Sequence, residues 1–173
     1  LRFAHCAQGV QGQGTGTCSG GGPGDHAPAV GEEPLDPSNG PVFWKATVVE
    51  VIHYVLVGVI GNTQPADLSL NDPTCFGWRN SNQVWIAGKR NAFVEGHGGW
   101  DTWQAGDVAV FKREAQRLSM RVRRLGDQTF TMDTNGTQNL CASTCNSTAT
   151  QAACSSRRRS WRTSLKRDSQ FIL

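Results

Sequence analysis

The chain has 173 residues, 38% hydrophobic and 18% charged, with a formal net charge of +3. That length supports one domain with a real core, and no apolar run approaches the ~18–20 residues that a membrane-spanning helix needs. The charge is unevenly held: residues 155–173 contribute +5 (six Lys/Arg against Asp168), which leaves the other 154 at −2, so a nucleic-acid role would rest on the tail alone.

Residues 1–40 hold ten of the twenty Gly residues, with Pro23, Pro28, Pro34 and Pro37, and show almost no apolar periodicity. Such a segment buries too little surface to offset its ordering entropy, so it reads as a disordered linker. The run Gly12 to Thr17 has the glycine content of a phosphate loop, but no strand precedes it and no helix follows. His5, Cys6, Cys18 and His26 match no zinc-finger spacing. The chain opens without an initiating Met or a signal-peptide pattern, and is read as a fragment whose address the N-terminus does not give.

From Pro41 the character changes. Phe43 to Val51 and Tyr54 to Ile60 are strand-like, and the second run is apolar on both faces, as in a central strand of a sandwich. Gly61-Asn62 ends it, and Gln64 to Thr74 is a connecting loop. Cys75 to Trp78 and Gln83 to Ala87 are short aromatic strands parted by the turn Arg79-Asn80-Ser81-Asn82. Gly88-Lys89-Arg90-Asn91 reads as another turn, and Glu95 to Asp101 as a flexible loop ahead of Trp103. Gly106-Asp107 opens the strand Val108 to Phe111. Leu118, Met120 and Val122 then alternate with Arg117, Ser119, Arg121 and Arg123, one face core and the other solvent. Gly126-Asp127 makes the next hairpin, with Phe130 and Met132 as its inward face. No segment keeps a helical period over ten residues. The fold class is all-β, an antiparallel β-sandwich.

These landmarks resemble the SPRY domain. Phe43-Trp44 with Glu50 resembles the opening aromatic strand of that family, although Lys45 follows the Trp where Glu is usual. Tyr54 to Gly61 (YVLVGVIG) is similar to its central strand, and Cys75-Phe76-Gly77-Trp78 to its Trp-Gly-Trp element. Trp103-Gln104-Ala105-Gly106-Asp107-Val108 is similar to its most specific element, W..GDvi. Leu118 to Val122 and Phe130 to Asp133 resemble the paired strands that follow. The resemblance covers roughly half of the chain, in order. It implies a bent sandwich of two antiparallel sheets that binds other proteins and often sits beside a ubiquitin-ligase or signalling domain.

After Asp133 the apolar pattern stops, and residues 141–173 read as an irregular, basic, Ser/Thr/Arg-rich tail beyond a domain spanning 41–140. A sandwich short of a strand leaves an open edge. Alternation of Ser/Cys with Thr/Asn over Ser143 to Thr148 would decode, in a shifted frame, as alternating apolar and polar residues. A frame slip near Leu140, and a domain cut short there, are therefore expected. Asn135 and Asn146 lie in N-x-S/T sequons, and with Cys141, Cys145 and Cys154 they point to secretion as the alternative address; the chain is too long and too sparse in Cys for a disulfide scaffold, and an intracellular location is the main expectation.

No convergent catalytic set is visible. His53 lies inside an apolar strand, where a core or edge imidazole is the ordinary reading. Neither a cofactor nor a metal is implied, and the chain is read as a non-enzyme. Loops on a rigid sandwich are a common recognition surface. The candidate partner-binding residues are Arg79 and Asn80 in the tight turn and His97, Trp100 and Asp101 in the Gly-rich loop, with Trp100 expected to be exposed. The expected partner is a protein or peptide ligand, with no membrane. A secreted carbohydrate-binding sandwich is the alternative, and a nucleic-acid binder acting through the basic tail is the third reading.

Overall fold

The computed structural model describes residues 2–6, 10–11, 17–20, 27–51, 55–61, 69–91, 100–146 and 152–156. Among them there is no α-helix, and the strands are β1 (Phe3–Cys6), β2 (Val10–Gln11), β3 (Thr17–Gly20), β4 (Ala27–Pro34), β5 (Val42–Val48), β6 (Val55–Ile60), β7 (Phe76–Arg79), β8 (Gln83–Ile86), β9 (Lys89–Asn91), β10 (Val108–Glu114), β11 (Arg117–Val122), β12 (Phe130–Asp133), β13 (Cys141–Asn146) and β14 (Ala152–Ser156). They form two antiparallel sheets. One runs β1-β4-β13-β6-β7-β8-β9 and the other β12-β11-β10-β5-β14-β3-β2. The all-β sandwich is the expected architecture.

The main core lies between the sheets. Val55, Val57 and Val59 of β6 meet Trp44, Ala46 and Val48 of β5 and Ala109 and Phe111 of β10 there. Trp44 and Phe111, direct neighbours in register, stack at 4.9 Å with their planes 8° apart. Trp78 leans on Phe111 from the opposite sheet at 6.0 Å. Each aromatic removed from water in this way contributes on the order of 2–3 kcal/mol. The other face of β6 is buried too: Leu56 and Ile60 join Val30, Leu70, Cys75, Trp85 and Cys141 in a second apolar cluster. All six residues of β6 are buried, as its two-faced apolar run predicts. Gly58 pairs with Gly77 of β7 at this crossing, and a Cβ on Gly58 would stand 2.6 Å from the Gly77 Cα and closer still to the Phe76 carbonyl oxygen. Only glycine lets the two strands meet there.

Three expectations are corrected. The described part of residues 1–40 is not a linker ahead of the sandwich but part of it: β4 pairs with β1 and with β13, Ala29 and Val30 are buried, and the Leu35 amide bonds the Leu140 carbonyl at 2.7 Å. Small side chains suffice there because both flanking strands cover β4. The stretch after Leu140 is not strandless. Cys141–Asn146 fills the place between β4 and β6, with Cys141, Ala142 and Ser143 buried. In a central strand the neighbouring ladders satisfy the backbone whatever the side chains, so a run of small polar residues fits. Lys89–Asn91 is likewise a strand, paired with β8. The turn is made by Ala87 and Gly88, at φ 53° and 71°. Among the described residues no helix is long and apolar enough to cross a membrane. The basic run Arg157 to Arg167 and His53 lie outside the described residues.

Candidate functional site

One end of the sandwich is built from the β7–β8 turn and the segment that runs from Trp100 to Asp107. Arg79 and Gln83 close the hairpin, which leaves Asn80, Ser81 and Asn82 as its loop. Ser81 and Asn82 take left-handed conformations (φ 62° and 53°), a geometry Asn tolerates well and Ser less so. Asn80 acts as a backbone mimic: its amide donates to the Val55 carbonyl at 3.1 Å, and its side-chain Oδ1 accepts from the Val55 amide at 3.2 Å. The turn is thereby tied to β6.

The second segment is fixed to the first by four bonds. The Asn82 amide donates to the Asp101 carbonyl at 2.5 Å, and the Ser81 amide to Thr102 Oγ1 at 3.4 Å. The indole of Trp100 donates to the Arg79 carbonyl at 2.7 Å, and that of Trp103 to the Trp78 carbonyl at 2.8 Å. The two indoles meet edge to face at 4.8 Å, and Trp100 meets Phe130 likewise at 5.5 Å. Asp107 anchors the far side. It is buried, its carboxylate accepts from the Gln104 amide at 2.8 Å and from Arg124 Nε at 2.9 Å, and Arg124 also reaches the Thr102 carbonyl. The hydrogen bond to Asp107, with a further contribution from the charge of Asp101, holds the Arg124 guanidinium above its ordinary pKa. A half-exposed pair of this kind, bonded at both carboxylate oxygens, positions a loop more than it stabilises a fold.

The sequence candidates therefore separate. Arg79, Asn80, Trp100 and Asp101 are brought to one end of the molecule, and His97 lies outside the described residues. Trp100 is not the exposed anchor expected of it. It is 1% exposed, because its ring completes the core between Trp103 and Phe130 while its N–H finds a strand-end carbonyl. Asn80 is buried as well and holds β6. Asp101 is exposed, and Arg79 is half-buried with Nη1 on Gln83 Oε1 at 2.7 Å. Sequence reasoning missed Ser81, Asn82, Gln104 and Arg124, all exposed at this end. The Asn-Ser-Asn composition of the turn was the signal for the first two. Arg124 carried none, since its partner Asp107 is seventeen residues away. Among the described residues no group of three His, Cys, Asp or Glu could hold a metal ion.

No family model matches the amino-acid sequence, and none of the curated proteins matches it. Solved structures do match the fold. The SPRY domain of human HERC1 superposes with a TM-score of 0.60 at 11% identity over 90% of this chain and 94% of that one. A human SPRY domain gives 0.63 at 14% identity, over 85% and 94%. The fold is SPRY-like. Stonustoxin also superposes, with a TM-score of 0.57 at 13% identity, over 85% of this chain and a quarter (25%) of that one. Within this SPRY-like fold the Trp103–Val108 element is a clasp, in which Trp103 caps β7 while Asp107 holds Arg124 and the turn at Gln104.

Proposed function

We propose that this SPRY-like sandwich is a non-catalytic interaction module that binds a peptide segment of a partner protein at the end formed by residues 79–82 and 100–104. The observation that carries the reading is the bonding of two loops into one surface, with exposed Ser81, Asn82 and Asp101 standing beside Arg79 on a base of buried tryptophans. Polar groups preorganised in this way can pair with an incoming backbone at little ordering cost. The fold shared with SPRY domains supports the same reading. The reading includes an intracellular setting, where thiols stay reduced.

A peptide array screened with the full chain tests the proposal. Its best binders should lose about tenfold in affinity to each of Asp101→Arg and Arg79→Ala, with the melting temperature preserved. Binders unaffected by both substitutions, or selective capture on a glycan array in their place, would overturn it.

A further inference from the structure

The edge strand β12 points to a second binding surface, away from the loops just described. Its pairing with β11 runs Arg117 opposite Asp133, Leu118 opposite Met132, Ser119 opposite Thr131 and Met120 opposite Phe130. The Thr134 amide donates to the Gln116 carbonyl at 2.7 Å, one step further along the same register. Hydrogen-bonded and non-bonded pairs alternate in an antiparallel ladder. Phe130, Met132 and Thr134 therefore turn their backbone groups toward β11, while Thr131 and Asp133 turn theirs to the free side. Among the described residues nothing bonds the N–H or C=O of Thr131 or Asp133. A cleft of about 540 Å³ is lined by Thr131–Asp133 and, on the paired side of the strand, by Glu114–Arg117 at the β10–β11 turn.

Edges left in this state are commonly blunted by Lys, Arg or Pro. β9, at an edge of the other sheet, carries Lys89 and Arg90. β12, with the sequence Phe-Thr-Met-Asp, carries none of these. Its one charge also specifies what could sit beside it. Glu114, Arg117 and Asp133 lie in one cross-strand row over β10, β11 and β12, with signs minus, plus, minus. Glu114 is taken by Lys112, whereas no cation among the described residues lies within 4 Å of the Asp133 carboxylate. The next strand in that row would continue the alternation with a cation, and the strand position two residues on would lie beside Thr131.

We propose that β12 docks an extended peptide of a partner as an added antiparallel strand, with Lys or Arg opposite Asp133 and Thr or Val opposite Thr131. Backbone bonds to Thr131 and Asp133 would give affinity, and the cation would give register.

The test is amide NMR on the full chain, titrated with the blocked hexapeptide Ser-Lys-Val-Thr-Val-Thr and with its Lys-to-Glu counterpart. The lysine peptide should shift the Thr131 and Asp133 amides saturably, and the glutamate peptide should bind about tenfold more weakly. Thr131→Pro removes an N–H that faces the free side, so the ladder to β11 is kept and peptide binding is lost. Asp133→Lys keeps that N–H and should reverse the preference, which tests the site even where the proline variant unfolds. Equal binding of both peptides, shifts confined to residues 79–82 and 101, or binding unchanged in both variants would overturn the proposal. Concentration-dependent shifts of the same amides with no peptide present would also overturn it, since they would make a second copy the occupant.

Discussion

β6 and β11 are both six-residue strands inside seven-stranded sheets, yet β6 buries every residue whereas β11 buries every second one. The difference lies in what covers each outer face. Over the first sheet, Leu70 and Cys75 close against Leu56, Ile60, Trp85 and Cys141. Over β10 and β11 the outward positions are Val110, Lys112, Ser119 and Arg121, which remain open. One sheet thus buries both faces of its central strand, and the other leaves the outer face of β10 and β11 open. A strand added beside β12 would extend that open face without displacing any packed side chain.

The largest break in this comparison is expected at Gly58. Gly58→Val drives a side chain into the backbone of β7, with no flexible group able to yield, and should cost about 3 kcal/mol or more of unfolding free energy. The matched change on the open face, Ser119→Val, should stay within about 0.5 kcal/mol. Urea unfolding of the two variants checks both, and comparable losses would mean that the second sheet is covered too.

Arg113 is the exception within the second sheet. It occupies an inward position of β10, 2% exposed, and its guanidinium donates to the Leu35 carbonyl at 2.6 Å and the Thr137 carbonyl at 2.9 Å. Burial lowers its pKa from the ordinary guanidinium value, and the charge of Asp36 opposes that shift. The side chain pins the end of β4 and the crossing from β12 to β13 onto the second sheet. Arg113→Met keeps the volume but leaves two carbonyls unpaired, at an expected cost of about 2–3 kcal/mol. Faster amide exchange at Leu35 and Leu140 than in β13 would mark the loss as local to this staple.

The sequence made these features legible to very different degrees. The two-faced burial of β6 and the alternation of β11 follow directly from apolar spacing, and so does the sandwich. β4 and β13 do not, because Ala-Pro-Ala-Val-Gly and Cys-Ala-Ser are small rather than apolar and are buried only by their neighbours. The place of a strand after Leu140 was legible; that Cys141–Asn146 itself would fill it was not. At the candidate site, Arg79 and Asp101 were chosen by residue type, and the bonds from Trp100 and Asn82 bring them to one end of the molecule. Trp100 was misread because a glycine-rich approach suggests exposure, whereas the fate of an indole is decided by a carbonyl twenty-one residues away.

The smallest effect sharpens the comparison at Cys141, on the covered face. Burial raises the pKa of its thiol, with the charge of Arg113 pulling the other way. The folded-state pKa therefore lies above the unfolded one. Stability from this group is complete below the unfolded value, near ~8.5, and is lost as pH rises through the folded value. A decline in stability between pH 8 and pH 10, smaller in Cys141→Ala because the burial-raised thiol of Cys6 remains, is the expected outcome in urea titrations. The chemical counterpart is reactivity. In the native protein Cys141 should alkylate on the order of 100-fold more slowly than a cysteine placed on the open face by Ser119→Cys, since only the thiolate reacts and only an opening of the first sheet exposes it. Peptide mass mapping after a timed iodoacetamide pulse reads both sites in one molecule, and equal rates would mean that the cover over the first sheet opens as readily as bare surface.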